Sequence, residues 1–367
     1  MKTPILVIFV DALPYDRAVN IVEKLAAPTY LKSVPGAGYS INVKAEMFAG
    51  LKPDDVGYFC EWNYDVESSV AWPVKALMSI LDWVGGISFF LDRVFHKLTT
   101  KVLGENVYAI PFRVMPFLKN SGLTAYERDF QHPTFLSEGA FDRVLYSEEG
   151  VNDKKVFEKA LGKLQKEKCS RLFVSTAELD GVMHNHGMFC EEYENQIALI
   201  EDHAVRLINE FLDLHGPEAH YFLFSDHGMA PVLQSVDFDI RDICGAPGND
   251  SYLYCVDATF YRVWLNDKTL EAKINAAFSD LKDGHILTVA ERKHFGLVDL
   301  KHGDVIFMLD ESKQFAPNFF GRGICQAMHG YEPQLESQLG SFVSNLGHLH
   351  GEKIEAVDIY KTIRAVL

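Results

Sequence analysis

Acidic and imidazole side chains occur in short motifs whose spacing suits a divalent cation. The segment ELDGVMHNHG contains Asp180 and His184, four positions apart. Residues i and i+4 lie on one face of a helix, so both side chains could bind one ion. The segments FSDHGMAP and QAMHGYEP add Asp226, His227 and His329. Mixed carboxylate and imidazole ligands suit zinc, and also manganese, whereas calcium prefers oxygen ligands.

A further carboxylate, Asp11, directly follows the apolar run ILVIFV near the start of the sequence. With it the set contains three Asp and three His residues. That number is too large for one open catalytic zinc site and about right for two ions that share a substrate. Each motif alone is common by chance, so the prediction depends on their joint occurrence.

The elements that must position these side chains are predicted to be strands of a parallel sheet. Three apolar runs, at residues 5–10, 171–176 and 221–224, end shortly before Asp11, Asp180 and Asp226. Continuous apolar runs are typical of strands that are buried on both faces. In open α/β sheets, ligands bind beyond the carboxyl ends of the strands. We therefore expect the three carboxylates to share one site.

Helical patterns lie between these strands, at residues 15–25, 154–167 and 193–214. The alternation predicts an α/β fold, with a doubly wound and mostly parallel central sheet flanked by helices.

Two stretches interrupt the alternation of strands and helices. Residues 65–146 are rich in aromatic residues and are interpreted as a helical cap insertion. Residues 239–325 are interpreted as a small β or α+β insertion, which leaves 1–64, 147–238 and 326–367 as the metal-binding core.

The cap is expected to contribute aromatic side chains to the wall of a pocket. They could stack on a base or cover a lipid or sugar, although most are assigned to the cap's own core. These aromatic residues are Trp72, Trp83, Phe89, Phe90 and Phe112. The apolar stretch 72–98 contains charged residues, and its uncharged run 83–91 is too short to span a bilayer. We predict no transmembrane segment, with peripheral lipid contact as a minor alternative.

Composition excludes some classes of function. The net charge of −16 and the pI near 5.3 argue against binding of a nucleic acid polymer, which needs basic surface. The six cysteines are scattered and form no C-x-x-C pair, so reduced thiols are favoured over disulfides or a zinc cluster. The opening MKTPILVIFVDALP is interpreted as a first strand and not as a signal peptide. These features predict a cytoplasmic protein.

In this order, the motifs resemble the alkaline phosphatase superfamily, in its nucleotide pyrophosphatase/phosphodiesterase-like branch. The matching segments are VDALPYD, AGLKPDDVGY, ELDGVMHNHG, FSDHGM and MHGYEP. The sulfatase branch is disfavoured because the sequence contains neither C-x-P-x-R nor S-x-P-x-R. The resemblance implies two divalent metal ions, with zinc ranked ahead of manganese. One ion would be held by Asp180, His184 and His329. The other would be held by Asp11, Asp226 and His227, together with the nucleophile.

In the family, the nucleophile is a Thr or Ser upstream of a T-G-x-x-P-x-x-x-G segment. Here that segment reads AGLKPDDVG, with Ala49 in place of the Thr. Counting back by the family's spacing gives Ser40 in GYSINVKAEMFAG, with Tyr39 as the alternative hydroxyl, while INVKAE replaces the usual F-P-N-H run. The family's phosphate-binding Asn corresponds to Glu61, and Asn63 is a candidate substitute.

The resemblance implies a hydrolase that acts on small-molecule phosphate monoesters or diesters. One ion would lower the pKa of the Ser40 hydroxyl, and the other would stabilise the leaving oxygen. A phosphoseryl intermediate follows, with retention of configuration at phosphorus. Two alternatives stay open: a metal-dependent phosphosugar mutase, and a catalytically degenerate metal-binding scaffold, which the replacements at Ala49 and Glu61 favour. The oligomeric state is not predicted.

Overall fold

The computed structural model describes residues 3–65, 110–111, 113–121, 124–148, 152–248, 250–347, 349 and 351–367. The strands among these residues are β1 (Ile5–Val10), β2 (Thr29–Val34), β3 (Trp62–Tyr64), β4 (Leu118–Asn120), β5 (Asp142–Leu145), β6 (Arg171–Thr176), β7 (His220–Phe224), β8 (Ala230–Pro231), β9 (Gln234–Val236), β10 (Tyr252–Val256), β11 (Phe260–Leu265), β12 (Gly284–Ile286), β13 (Val305–Leu309), β14 (Lys313–Phe315), β15 (Ala327–Met328), β16 (Gly340–Ser344) and β17 (Lys353–Glu355).

The helices of the described residues include both long amphipathic segments and single turns. The α-helices are α1 (Val19–Leu25), α2 (Ser40–Ala49), α3 (Pro53–Val56), α4 (Phe135–Gly139), α5 (Asp153–Glu167), α6 (Glu178–His186), α7 (Glu191–His215), α8 (Arg241–Cys244), α9 (Glu271–Asp280), α10 (Val289–Phe295) and α11 (Ala356–Arg364). Short 3₁₀ turns cover Tyr15–Arg17, Met115–Phe117, Lys268–Leu270, Leu300–His302 and Glu336–Gln338.

The central sheet contains seven strands in the order β17-β2-β16-β7-β1-β6-β5. Strands β7, β1, β6 and β5 are parallel, and β16 runs antiparallel to both β7 and β2. The predicted α/β class, with a mostly parallel sheet flanked by helices, is confirmed. The three predicted strands correspond to β1, β6 and β7, and their register pairs Val10 with Thr176 and Phe9 with Phe224. Their carboxyl ends therefore meet at one edge of the sheet.

The two faces of β1 bury different kinds of side chain. One face carries Leu6, Ile8 and Val10, which pack with the apolar stripes of α5 and α7. The other face carries Phe9, whose ring lies 5.7 Å from that of Phe48 on α2. The same Phe48 ring also contacts rings of β6, β7 and α4. Burial of this aromatic cluster fixes α2 against the sheet and thereby positions the residues along that helix.

Two compact units divide the chain, and they differ from the predicted division. The first unit consists of residues 1–56, 123–232 and 325–367, and the second of 57–122 and 233–324. The predicted cap extends to residue 146, whereas β5 pairs with β6 and so belongs to the central sheet. Conversely, β3 pairs with β4 and β9 pairs with β14, which places these strands in the second unit.

The second unit contains a four-stranded sheet in the order β10-β11-β13-β12. Its described strand pairs are antiparallel, and aromatic residues of β10, β11 and β13 form much of its core. The predicted cap aromatics lie outside the described residues, so their roles stay predictions. Among the helices that the structure describes, none combines the length and apolarity needed to cross a membrane.

Candidate cation and nucleophile site

The loops after β1 and β7 place Asp11 and Asp226 beside each other at the carboxyl edge of the sheet. Ala12 adopts a left-handed conformation with φ of 63°, which is uncommon for a residue other than glycine. In this conformation the Ala12 backbone N–H donates to Asp226 Oδ1 at 3.2 Å, and the Leu13 N–H donates to Ser225 Oγ at 2.7 Å. One oxygen of Asp226 is thereby satisfied, and Asp226 Oδ2 remains buried without a hydrogen bond.

The helix α6 positions Asp180 and His184. Its first backbone N–H groups donate to Asp153 at the start of α5, with Ala177 N lying 3.1 Å from Asp153 Oδ1. Asp180 in the first turn and His184 one turn later share a face, as the four-residue spacing predicted. The His184 Nδ1–H donates to the Ala327 carbonyl at 2.9 Å, which directs Nε2 into the site.

Asp180, His184 and His329 form what we call the first cation position. The Asp180 Oδ1 atom lies 3.3 Å from His184 Nε2 and 3.9 Å from His329 Nε2. This oxygen is buried and accepts no well-aligned hydrogen bond. A buried carboxylate oxygen that faces two ring nitrogens is an arrangement that a metal ion would satisfy. The residues of the first cation position therefore fit a divalent ion.

The pKa values of the two histidines at the first cation position show how the charge of Asp180 is balanced when no metal ion is bound. Burial would lower the pKa of His184, but the contact with Asp180 outweighs it and raises that pKa to about 11. Burial lowers the pKa of His329 well below its ordinary value, so that its ring is neutral. A metal ion would replace the proton on His184, because an imidazole must be deprotonated to bind it. Uptake of the ion would therefore release a proton.

Asp11, Asp226 and His227 form the second cation position. His227 Nε2 lies 3.7 Å from Asp11 Oδ1 and 3.5 Å from Asp226 Oδ2, and both carboxylate oxygens are buried without a hydrogen bond. The His227 Nδ1–H donates to the Gly228 carbonyl at 2.8 Å. This hydrogen bond directs His227 Nε2 into the site.

Ser40 is the first residue of α2, and its hydroxyl lies at the second cation position. The Asn42 side chain fixes the entry to this helix: its oxygen accepts from the Tyr39 N–H at 2.9 Å, and its amide donates to the Ala37 carbonyl at 2.7 Å. The Ser40 Oγ lies 2.9 Å from His227 Nε2 and donates to it, given the proton on Nδ1. No local motif predicts this direct contact, although the family resemblance assigned His227 and Ser40 to the same metal ion.

Sequence reasoning missed Lys44, which lies one turn after Ser40 on α2. The Lys44 Nζ donates to Asp11 Oδ2 at 2.6 Å and lies 3.9 Å from Asp226 Oδ2. Burial would lower the pKa of Lys44, but the attraction of Asp11 outweighs it and raises that pKa. Burial and then the charge of Asp226 raise the pKa of Asp11 to about 7, despite the opposing effect of Lys44. The four-residue spacing from Ser40 is the one signal that could have indicated Lys44.

The two cation positions are adjacent. The rings of His227 and His329 stack with centroids 3.6 Å apart and an angle of 10° between their planes. Ligand atoms of Asp180, His227 and His329 lie within 4.8 Å of one another, and so do those of Asp11, Asp226 and His227. His227 belongs to both groups. The seven side chains predicted for the site thus lie together at one edge of the sheet.

The second cation position fits a metal ion less well than the first. It has unsatisfied carboxylate oxygens, but the ammonium of Lys44 already contacts both carboxylates.

Glu61 and Asn63 belong to the second unit, where Glu61 accepts from the Asn120 amide at 2.9 Å and Asn63 donates to the Cys60 carbonyl at 2.7 Å. Both side chains are thus engaged within their own unit.

Comparison with known proteins places the chain in a family. The family model of type I phosphodiesterase / nucleotide pyrophosphatase matches residues 48–331, which is more than half of the chain. The chain belongs to this family. The predicted family and the predicted class of enzyme, a phosphoric ester hydrolase, are therefore confirmed. The matched residues include the first cation position, Asp226 and His227, whereas Asp11 and Ser40 lie before them.

Solved structures of this kind share the fold at low sequence identity. Murine ectonucleotide pyrophosphatase / phosphodiesterase 5, as an inactive form in complex with AMP, matches with a TM-score of 0.67 and 12% identity over 100% of this chain and 95% of that chain. The same murine protein in another structure matches with a TM-score of 0.66, and the human protein with 0.64, each at 12% identity over 99% of this chain and 94% of that chain. No curated protein sequence matches the chain significantly.

Proposed function

We propose that this chain hydrolyses small-molecule phosphodiesters of the nucleotide type, with Ser40 as the nucleophile. The observation that carries the proposal is the convergence of the Ser40 hydroxyl with three buried or half-buried carboxylates and three imidazoles at the carboxyl edge of the sheet. Family membership supports phosphodiester cleavage. The similar murine protein was solved in complex with AMP, which supports a nucleotide as the substrate class.

The first cation position would hold a divalent ion, and we rank zinc ahead of manganese because two of its three side chains are imidazoles. When bound, such an ion would supply positive charge next to the phosphate. The predicted ligand set also provides for a second ion, at the second cation position. Among the chain's own groups, the N-terminus of α2 at Ser40 adds partial positive charge that favours a phosphate oxygen.

Attack by Ser40 Oγ on phosphorus would form the Oγ–P bond and break the bond from phosphorus to the leaving oxygen. The hydrogen bond from Ser40 Oγ to His227 Nε2 supports this role, because it orients the hydroxyl and provides an acceptor for its proton 2.9 Å away. Water would then attack phosphorus from the face that the leaving group vacated, which forms a new P–O bond, breaks the Oγ–P bond and returns a proton to Ser40 Oγ. Two in-line displacements give retention of configuration at phosphorus.

The proposal is tested with aryl phosphate mono- and diesters and with dinucleotide-type diesters, each assayed with zinc or manganese. We expect diester cleavage that chelators abolish and that Ser40→Ala reduces by at least about 10³-fold, as expected for loss of a covalent nucleophile. The matched control is Tyr39→Phe, which removes the alternative hydroxyl and should retain most activity. Full activity in Ser40→Ala would contradict the assignment of the nucleophile.

Retention at phosphorus distinguishes the phosphoseryl route from direct attack by water. With a chiral thiophosphate diester, hydrolysis in ¹⁸O-water should give retained configuration, and inversion would contradict the route. With phosphosugar substrates, an isomer formed without free phosphate would favour the mutase alternative.

We also propose a reducing, cytoplasmic location, supported by six free thiols. Fractionation of cells with an antibody to the chain would test it.

A further inference from the structure

Lys44 is a buried cation inside the group of side chains that the family resemblance assigns to a second metal ion. Its relative exposure is 4%, and that of Asp226 is 0%. The Lys44 Nζ lies 2.6 Å from Asp11 Oδ2 and 3.9 Å from Asp226 Oδ2. Two aromatic rings enclose the ammonium, with the Phe9 centroid at 5.2 Å and the Tyr126 centroid at 5.6 Å.

This environment holds the ammonium in place. Lys44 lies in the middle of α2, which the Phe48 aromatic cluster fixes against the sheet. Ring faces attract cations, so Phe9 and Tyr126 stabilise the ammonium in addition to the carboxylates. A buried charge without a partner is costly, and Lys44 could leave Asp11 only by losing both kinds of contact.

The same environment opposes a divalent ion at the second cation position. Such an ion would have to lie among Asp11, Asp226 and His227, which places it only a few ångströms from the Lys44 Nζ. Two cations at that distance in a buried site repel each other strongly, because the local dielectric constant is low. The carboxylates of Asp11 and Asp226 are also partly neutralised already, which weakens their attraction for an added ion.

We propose that the Lys44 ammonium takes the place of the second divalent ion, so that the chain binds one ion, at the first cation position. The inference rests on the proposed function, since it concerns how the same site is charged. An ammonium supplies one positive charge but cannot coordinate an oxygen atom as a metal ion does. Ser40 Oγ is therefore oriented by its hydrogen bond to His227 Nε2 and not by coordination to a metal. The predicted count of two metal ions is thereby reduced to one.

The experiment is a measurement of metal stoichiometry. Metal-free protein is equilibrated with excess zinc or manganese, unbound ion is removed, and the metal is counted by mass spectrometry. One equivalent per chain is expected. Two equivalents, or none, would overturn the proposal. A crystal measured at the zinc absorption edge gives a second readout: one anomalous peak beside Asp180, and none between Asp11 and Asp226.

Variants assign the bound ion to one position. Asp180→Asn should lose the ion, whereas Asp226→Asn should keep one equivalent. Loss of an equivalent in Asp226→Asn would overturn the proposal. Lys44→Met, which removes the charge and keeps most of the side-chain length, should raise the count to two, and Lys44→Arg should keep it at one. A Lys44→Met protein that still binds a single ion would show that the ammonium excludes nothing, and would also overturn it.

Failure of this inference and failure of the proposed function give different results. A protein that binds two ions and cleaves diesters contradicts the role of Lys44 and leaves the function standing. A protein that binds one ion at the first cation position and cleaves no phosphate ester contradicts the function and leaves the role of Lys44 standing. The stoichiometry needs no activity assay, so the two results are independent.

Discussion

The two cation positions lie side by side, yet they balance their negative charge in different ways. At the first, Asp180 faces only imidazoles among the contacts described above, and the site must take up a proton or a metal ion. At the second, Asp11 and Asp226 face the ammonium of Lys44, which the chain itself supplies. Two positions with similar ligand residues can therefore bind different numbers of metal ions. The reason is that a neighbouring side chain sets how much of the carboxylate charge is left uncompensated.

The largest expected effect comes from removing the chain's own cation. In the presence of a chelator, Lys44→Met leaves two buried carboxylates uncompensated and should lower the free energy of unfolding by about 3–5 kcal/mol. Urea denaturation measures this loss. Lys44→Arg keeps the charge and should lose clearly less. Equal losses in both variants would mean that packing of the lysine stem, and not its charge, stabilises the second cation position.

A buried carboxylate on the same helix provides a reference in which burial outweighs the opposing charge of a lysine, Lys52. Glu46 is 4% exposed, and burial raises its pKa from 4.5 to about 8. Because the folded state holds this proton more tightly, stability falls as pH rises from about 4.5 to 8. Glu46→Gln should be more stable than the wild type by about 2–4 kcal/mol at pH 9, with little difference at pH 4.

Urea denaturation of Glu46→Gln and wild type at pH 4, 7 and 9 tests this difference. An advantage that does not grow with pH would show that Glu46 is ionised in the folded protein. In that case the charge of Lys52 would suffice to keep a buried carboxylate ionised, and the contrast with Asp11 would lose its basis.

A change in the backbone behind the second cation position should have a smaller effect. A Cβ atom at Gly340 on β16 would lie 2.7 Å from the Ser225 carbonyl oxygen and 3.2 Å from the His227 backbone nitrogen. Gly340→Ala should therefore shift the turn that carries Asp226 and His227, and lower stability by about 1–3 kcal/mol. Diester cleavage should fall, while one metal equivalent is kept.

The matched control for this substitution is Gly347→Ala, because a Cβ atom there meets nothing within 4 Å. It should change stability by no more than about 0.5 kcal/mol. If Gly340→Ala lost the metal equivalent while Gly347→Ala kept it, the ion would depend on the second cation position and not on the first.

A further effect, on metal affinity and not on folding stability, concerns pH at the first cation position. The pKa of His184 is raised to about 11, so a metal ion must displace a proton when it binds. Zinc affinity should therefore rise by about tenfold per pH unit between pH 6 and 8. Competition against a chromogenic chelator measures the affinity, and calorimetry in two buffers counts the released proton. An affinity that does not change with pH would contradict the displacement.

The parts of the fold and site that the sequence predicted share a physical origin. Strands β1, β6 and β7 are continuous apolar runs, and Asp11, Asp180 and Asp226 follow them closely, so local pattern and parallel topology suffice to bring these carboxylates together. Strand β5 was assigned to the cap because its four residues carry little pattern, and only its pairing with β6 defines it.

The partners of Lys44 could not be predicted in this way. Its contact with Asp11 spans 33 residues and depends on the rotation of α2, which the packing of Phe48 sets. Apart from its four-residue spacing from Ser40, nothing in the segment INVKAE distinguishes a lysine that enters a site from one that faces water. The hydrogen bond between Ser40 and His227 spans 187 residues and likewise appears only when α2 and the loop after β7 are placed together.

The stacked rings of His227 and His329 give the site an internal reporter. Each imidazole contributes to a different cation position, yet their π-surfaces touch, so the ring current of one acts on the nuclei of the other. Loading the first cation position should therefore displace the proton resonances of the His227 ring. Occupancy at one position could then be followed from the other by NMR, without a labelled ligand or a turnover assay.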